Sequence, residues 1–176
     1  MQVGPLPHEW EVQGMGTLGR EIVGGRADEI IDRLNQGIAA EINDAYRYLL
    51  LSKIASGVHG TPVAQLFART AQDEWGHVAL LMDRVVQLGG EPLASPDGAA
   101  GKSYTEYKPA PKEPTDVKAM IVDSLAGERA AITFYRDLYQ QTRDIDPVTA
   151  EIAREALIDE IDDEDEMERL LEDWPG

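Results

Sequence analysis

Four stretches of this chain repeat apolar residues at helical spacing, and each sets an acid inside its own apolar stripe. From about residue 26 to 56 the stripe runs through Ile31, Leu34, Ile38, Ala45 and Tyr48, with Glu41 in line. From about 61 to 88 it runs through Val63, Phe67, Thr70, Leu81 and Val85, with Glu74 and His77 in line. From about 116 to 142 it holds Ile121, Leu125, Ile132, Tyr135 and Leu138, with Glu128 among them. From about 147 to 173 it holds Ile152, Leu157, Met167 and Leu171, with Glu160 and Asp163 on the same side. Helices that bury these stripes must bury the carboxylates with them. A lone mid-helix glutamate is ordinarily solvated, but four in-stripe acids are costly to bury without a cation, because like charges raise one another's pKa values.

Local signals bound the helices. Gly57 and Gly60 stop the first, and Thr61-Pro62 reads as a capping hydroxyl followed by proline at the first helical position. Gly89-Gly90 ends the second, Thr115 caps the third, and Asp146-Pro147 repeats the cap-plus-proline start for the fourth. Residues 91–113 hold prolines, glycines and two tyrosines without a period, so they form one long crossover between helices 2 and 3. Surface or subunit contacts are its default role. Residues 1–25 read as an extended N-terminal arm, with Trp10 and Met15 tucking it onto a surface or a neighbouring subunit. The expected fold is all-α: a four-helix bundle over residues 26–173 with a single crossover.

Composition narrows the setting. Apolar residues make up 43% of 176 and charged residues 28%, which describes one soluble domain. No apolar run approaches the roughly 18 residues of a membrane span, and the first ten residues lack the regions of a signal peptide. With no cysteine there is no disulfide framework and no thiolate metal site. A cytoplasmic protein is expected. The formal charge of −17 repels a DNA backbone, so neither DNA nor membrane is an expected partner. Residues 146–173 carry thirteen acids against Arg154 and Arg169. That excess is either a solvated face or a cation-gathering surface, with Asp162, Glu164, Asp165 and Glu166 lining an inner wall or pore. His59 reads as an ordinary surface histidine.

The two halves echo each other. Glu41 is followed seven residues later by Tyr48 and thirty-three later by Glu74 with His77. Glu128 is followed seven later by Tyr135 and thirty-two later by Glu160 with Asp163. In each pair the two ligand types lie three residues apart, one helical turn, and so share a face. A rough two-fold axis through the bundle then brings Glu41, Glu74, His77, Glu128, Glu160 and Asp163 to one centre. Bridging and terminal carboxylates with further donors suit two first-row metal ions, with positions left for oxygen or peroxide. Tyr48 and Tyr135 are either partners of those carboxylates or plain core packing.

These residues resemble the ferritin-like superfamily of di-iron carboxylate proteins. Glu41 with Tyr48, Asp73-Glu74-x-x-His77, Glu128 and Asp159-Glu160-x-x-Asp163 are similar to the ferroxidase motif of bacterioferritins. The run at 15–24 looks like the entry segment of Dps-like mini-ferritins. The resemblance implies a ferroxidase that oxidises Fe(II) with H2O2 or O2 at an intrasubunit di-iron centre. It implies two iron ions per subunit on the six ligands, with Glu41, Glu74, Glu128, Glu160 and Tyr48 serving catalysis. It also implies iron storage in a homo-oligomeric shell, a dodecamer favoured, and protection against oxidative stress.

Three departures follow from the same comparison. Asp163 stands where histidine is usual, and five carboxylates leave two Fe(II) about one unit negative, which favours retained metal. Trp75 occupies the position of the haem-ligating methionine of bacterioferritins, so no haem is expected; Trp75 is then an electron donor or a packing aromatic. Manganese in place of iron, giving a manganese catalase or another di-metal peroxide-consuming oxidase, is one alternative. A non-catalytic helical scaffold with a degenerate site is another.

Overall fold

The computed structural model describes residues 17–172 and 174, so the expected roles of Trp10 and Met15 lie outside the described residues. A short helix, α1 (Thr17–Val23), and a 3-10 turn (Gly24–Arg26) lead into α2 (Ala27–Ile54). Next comes α3 (Gly60–Gln87); the crossover after it contains a 3-10 turn (Pro96–Gly98) and the one-turn α4 (Ala99–Lys102). Finally α5 (Val117–Thr142) and α6 (Pro147–Glu172) form the second long pair. α2 packs along α3 and α5 along α6, and contacts of α3 with α6 and α2 with α5 close a four-helix bundle. No strand occurs among the described residues.

The segment expected to be extended is helical from Thr17 to Val23. Seven residues are too few to show a period, and so short a helix is not stable alone. Docking holds it. Val23 is buried, the Arg20 guanidinium donates to the Leu88 carbonyl at 3.2 Å, and a Cβ on Gly19 would come within 2.8 Å of the Gln87 carbonyl oxygen.

The helix ends follow local chemistry, with two shifts. Asp146 caps α6 as expected, its Oδ1 accepting from the Thr149 amide at 3.1 Å. α5 is capped by Asp116, not Thr115: the Asp116 Oδ1 accepts from the Ala119 amide at 3.1 Å, the better acceptor lying one residue later. α3 starts at Gly60 with His59 in the N-cap position and no side-chain cap bond, so Thr61 is not its cap. At its other end Gly89 takes φ +72° and the Gly90 amide donates to the Val85 carbonyl at 2.9 Å, a Schellman closure that needs the glycine.

The crossover lies against the bundle and not merely over its surface. The Tyr104 ring stacks on Phe134 with centroids 4.4 Å apart, and Asn35 and Arg47 donate to the carbonyls of Glu91 and Lys108. His59 is exposed, as expected, with its ring 4.8 Å from that of Trp174.

The apolar core is split in two. One cluster gathers Ile31, Leu34, Ile38, Leu81, Val85, Phe134 and Leu138; the other gathers Leu51, Leu66, Phe67, Met120, Ile121 and Met167. Each buried side chain of this size contributes roughly 1.5–3 kcal/mol. On every long helix the residues between the two clusters carry the in-stripe acids. The large residues expected to be buried on α6, Ile152, Leu157 and Leu171, are only partly so, as is Ile132 on α5. α6 instead buries Ala150, Ala153 and Ala156, whose small side chains let it lie close to its neighbours.

Candidate metal centre

The polar layer between the two cores is built by all four long helices. Glu41 comes from α2, Glu74 and His77 from α3, Glu128 from α5 and Glu160 from α6; each is at most 6% exposed. One ligand atom from each of Glu41, Glu74, His77 and Glu160 lies within 4.8 Å of the others, an arrangement that could hold a metal ion. The His77 Nδ1 is 3.3 Å from Glu74 Oε2, 3.3 Å from Glu160 Oε1 and 3.6 Å from Glu41 Oε2. A nitrogen carrying one proton cannot satisfy three carboxylates, and Glu160 Oε1 is left without a hydrogen bond among the described residues. Charges this deep cost several kcal/mol each unless compensated, so the layer is not there for stability.

Glu128 and Asp163 stand outside that four-residue group. Glu128 faces Glu160, and Asp163 lies only partly buried toward Glu128, Glu160 and Asp73. The two halves therefore differ: His77 joins the cluster, and its counterpart Asp163 flanks it. The tyrosines are symmetric. The Tyr48 hydroxyl donates to Glu128 Oε1, and the Tyr135 hydroxyl donates to Glu41 Oε1, each reaching between α2 and α5. Both are fully buried carboxylate partners and not just packing.

The electrostatics are those of carboxylates crowded away from water. Burial and the neighbouring Glu160 and Glu41 push Glu74 well above the usual range, and burial with Glu160 does the same to Glu128. Burial also raises Glu160, and burial with Glu160 and Asp73 brings Asp163 up to about 7. Glu41 is held low despite its burial, by hydrogen bonds with Glu74, His77 and Tyr135. Burial opposes a charged imidazole, yet contacts with Glu160, Glu41 and Glu74 raise His77 far above its ordinary value. A positive charge at the centre is strongly favoured.

Two residues join the site that the sequence did not single out as ligands. The His77 Nε2 lies 3.2 Å from Asp159 Oδ2, a partner that would keep a proton on Nε2 when a cation displaces the one on Nδ1. Asp44, one turn beyond Glu41, is pushed up to about 8 by burial and by the charges of Glu41 and Glu160. Its i+3 spacing from Glu41 was the available signal. Trp75 is 47% exposed and belongs to neither core cluster of the described residues. Among the acids expected to line an inner wall, Glu164 pairs with Arg129, Asp165 with Arg169 and Glu166 with Arg69, which fits a solvated, salt-bridged face.

Comparison with known proteins follows the same lines. A family described as a ferritin-like domain matches residues 31–176. The chain is 27% identical over 156 residues to a DNA protection during starvation protein of Pyrococcus furiosus, covering 89% of this chain and 84% of that one. A protein of the same description from Halobacterium salinarum is 28% identical over 177 residues, covering 93% and 88%. Among solved structures, the bacterioferritin-related protein of Bacteroides fragilis, described as a dodecameric thioferritin, superposes with a TM-score of 0.84 at 25% identity, covering 89% of this chain and 94% of that one. An archaeal Dps homologue from Halobacterium salinarum superposes at 0.82 with 23% identity, covering 99% and 95%.

Proposed function

This chain belongs to the ferritin-like family, and from that premise we propose that it is a Dps-like ferroxidase and iron-storage mini-ferritin. The observation that carries the reading is the convergence of the His77 Nδ1 with Glu41, Glu74 and Glu160 in a buried layer, with Glu128 beside them. Carboxylates with one imidazole are hard and borderline donors of the kind that suit Fe(II) and favour its ferric product. Iron is the substrate: two Fe(II) each lose one electron to H2O2, which takes up two protons and leaves as two waters. O2 serves as the alternative oxidant.

The chain's own groups prepare that chemistry. Asp159 fixes the imidazole so that Nδ1 faces the centre. Tyr135 and Tyr48 hold one oxygen of Glu41 and of Glu128, leaving the other toward the cation. Asp163 supplies the outlying carboxylate of the second subsite. Carboxyl protons and the His77 proton leave as Fe(II) enters, so binding strengthens with rising pH.

Exposed apolar residues on the outside of the bundle, including Leu18, Ile22, Tyr46, Val148, Ile158 and Ile161, support assembly into a homo-oligomeric shell. A dodecamer is the favoured size, as in the Bacteroides fragilis relative. Net charge of −17 argues for oxidative protection through iron removal, not through DNA binding.

The test is anaerobic loading with sub-stoichiometric Fe(II), then O2 or H2O2, followed by near-ultraviolet ferric absorbance, with Glu128→Ala as control. Fast ferric colour lost in the variant supports the reading, and repeated additions measure storage. Background-rate oxidation in the unaltered protein overturns it.

A further inference from the structure

The two halves of the centre support unlike ligands. His77, three residues past Glu74, corresponds by the internal repeat to Asp163, three residues past Glu160. A ligating histidine carries a proton on its far nitrogen and needs an acceptor, which Asp159 supplies from the position before Glu160. The counterpart of Asp159 is Asp73, before Glu74, and its charge acts on Asp163. An ionised aspartate only accepts hydrogen bonds, so Asp73 offers Asp163 repulsion and no bond. Glu160 and Glu166 crowd the same carboxylate with further acceptors, and the Arg69 guanidinium is taken up by Glu166 at 2.6 Å. A carboxylate ligand in this place needs a hydrogen-bond donor.

Thr70 is such a donor. It lies one turn before Glu74 on α3, is 1% exposed, and its Oγ1 has no hydrogen-bond partner among the described residues. Helical threonines commonly return the hydroxyl to the carbonyl four residues back, as Thr142 does to Leu138 at 2.7 Å and Thr133 to Arg129 at 2.9 Å. Thr70 does not. A buried hydroxyl without a bond is costly and calls for a reason. Burial, Glu160, Asp73 and Glu166 push the Asp163 carboxyl up, and the Thr70 hydroxyl beside it works the other way.

The repeat sharpens the contrast. The counterpart of Thr70, four residues before Glu160, is Ala156, buried at 2% exposure. The helix opposite the histidine therefore carries a methyl and an acceptor, whereas the helix opposite the aspartate carries a hydroxyl.

We propose that Thr70 is a positioning residue for the second metal subsite: its hydroxyl donates to one oxygen of Asp163 and leaves the other for the ion. The proposal rests on the two-ion reading of the centre. Thr70 does for Asp163 what Tyr48 does for Glu128 and Tyr135 for Glu41. It touches no ion itself, and a histidine ligand would have no use for it.

The experiment titrates the whole chain, stripped of metal, with Co(II), followed by calorimetry and by the visible absorption of the bound ion. The unaltered protein should bind two ions. Thr70→Val keeps the shape and removes the hydroxyl, so the second ion should bind about tenfold more weakly with an altered spectrum. The first ion, at Glu41, Glu74, His77 and Glu160, should bind as before. Thr70→Ser should match the unaltered protein. In an Asp163→His background, where the imidazole can donate to Asp73, Thr70→Val should change the second affinity by less than about twofold. Metal-free Thr70→Val should melt no lower than the unaltered protein, because the lost hydroxyl made no bond. Equal second-ion affinity with and without the hydroxyl, or the same loss in the Asp163→His background, overturns the proposal and leaves the two-ion centre standing. So does a Thr70→Val that melts lower and loses both ions alike, which would mark Thr70 as core packing. A single bound ion in the unaltered protein sinks the two-ion reading and the proposal with it.

Discussion

His77 and Asp159 meet across the α3–α6 interface, Nε2 to Oδ2 at 3.2 Å, on the side of the imidazole away from the three clustered glutamates. Once metal displaces the Nδ1 proton, the pair favours keeping the remaining one on Nε2. Asp159→Asn keeps the shape but loses the charge that favours the Nε2 proton. The expected result is a Zn(II) or Fe(II) affinity lower by about 10–100-fold, the range typical for partners of ligating histidines. Melting of the metal-free protein should move little, because Asp159 is about half exposed. Unchanged affinity by calorimetric titration would show that the tautomer is fixed by other groups.

Far from the centre, Arg84 ties the end of α3 to the start of α6. Its Nη2 donates to Asp146 Oδ1 at 2.7 Å and its Nε to Thr149 Oγ1 at 2.9 Å, with all three side chains buried. Arg84→Ala leaves Asp146 buried without its cation, and a broken pair of this kind costs about 3–5 kcal/mol. Urea unfolding should show that loss. Any residual protein that stays folded should bind Zn(II) normally, since the network touches no ligand.

The stripes and their acids made the bundle and its central layer legible, because helical periodicity and the cost of a buried charge are both local readings of sequence. What escaped were features that exist only after the helices pair. Asp159 acquires its role by facing α3, and Asp44 and Arg47 acquire theirs once the crossover covers them. Alanines carried the α6 contact, where a pattern weighted toward large side chains pointed to Ile152 and Leu157. The docking of α1 depended on carbonyls at the far end of α3, which no seven-residue window contains.

Protons and metal compete for the same layer, and this sets the pH dependence of the metal-free protein. Asp44 is raised to about 8 by burial and Glu41, and Asp163 to about 7 by burial and Glu160; Glu74, Glu128 and Glu160 are raised as well. His77 is raised too, so from about pH 4 to pH 8 the folded chain binds more protons than the unfolded one. Stability must then fall as pH rises through that window. Glu41, held low, works the other way only at more acidic pH. Chelator-treated protein should therefore have a higher Tm at about pH 5 than at about pH 8, and Zn(II) should restore the loss at the higher pH. A Tm that rises across this range without metal would contradict the assignment.

Glu160 separates the demands of folding from those of metal binding. Its Oε1 faces His77 at 3.3 Å without a hydrogen bond, and its charge is a cause of the raised pKa of Glu74, Glu128 and Asp163. Glu160→Gln removes that charge, keeps the volume and supplies an amide that can donate to Glu128. If the layer is held in tension for the sake of a cation, the metal-free variant should be more stable at about pH 8 by about 1–2 kcal/mol, a size common where a site is relieved of functional strain. The same change should abolish tight Zn(II) binding and Fe(II) oxidation, because one of the four converging ligands is gone. Were Glu160 instead a structural partner of His77, the variant would lose stability along with metal. Chemical unfolding of both proteins after chelation, at one pH and beside a metal titration, distinguishes the two.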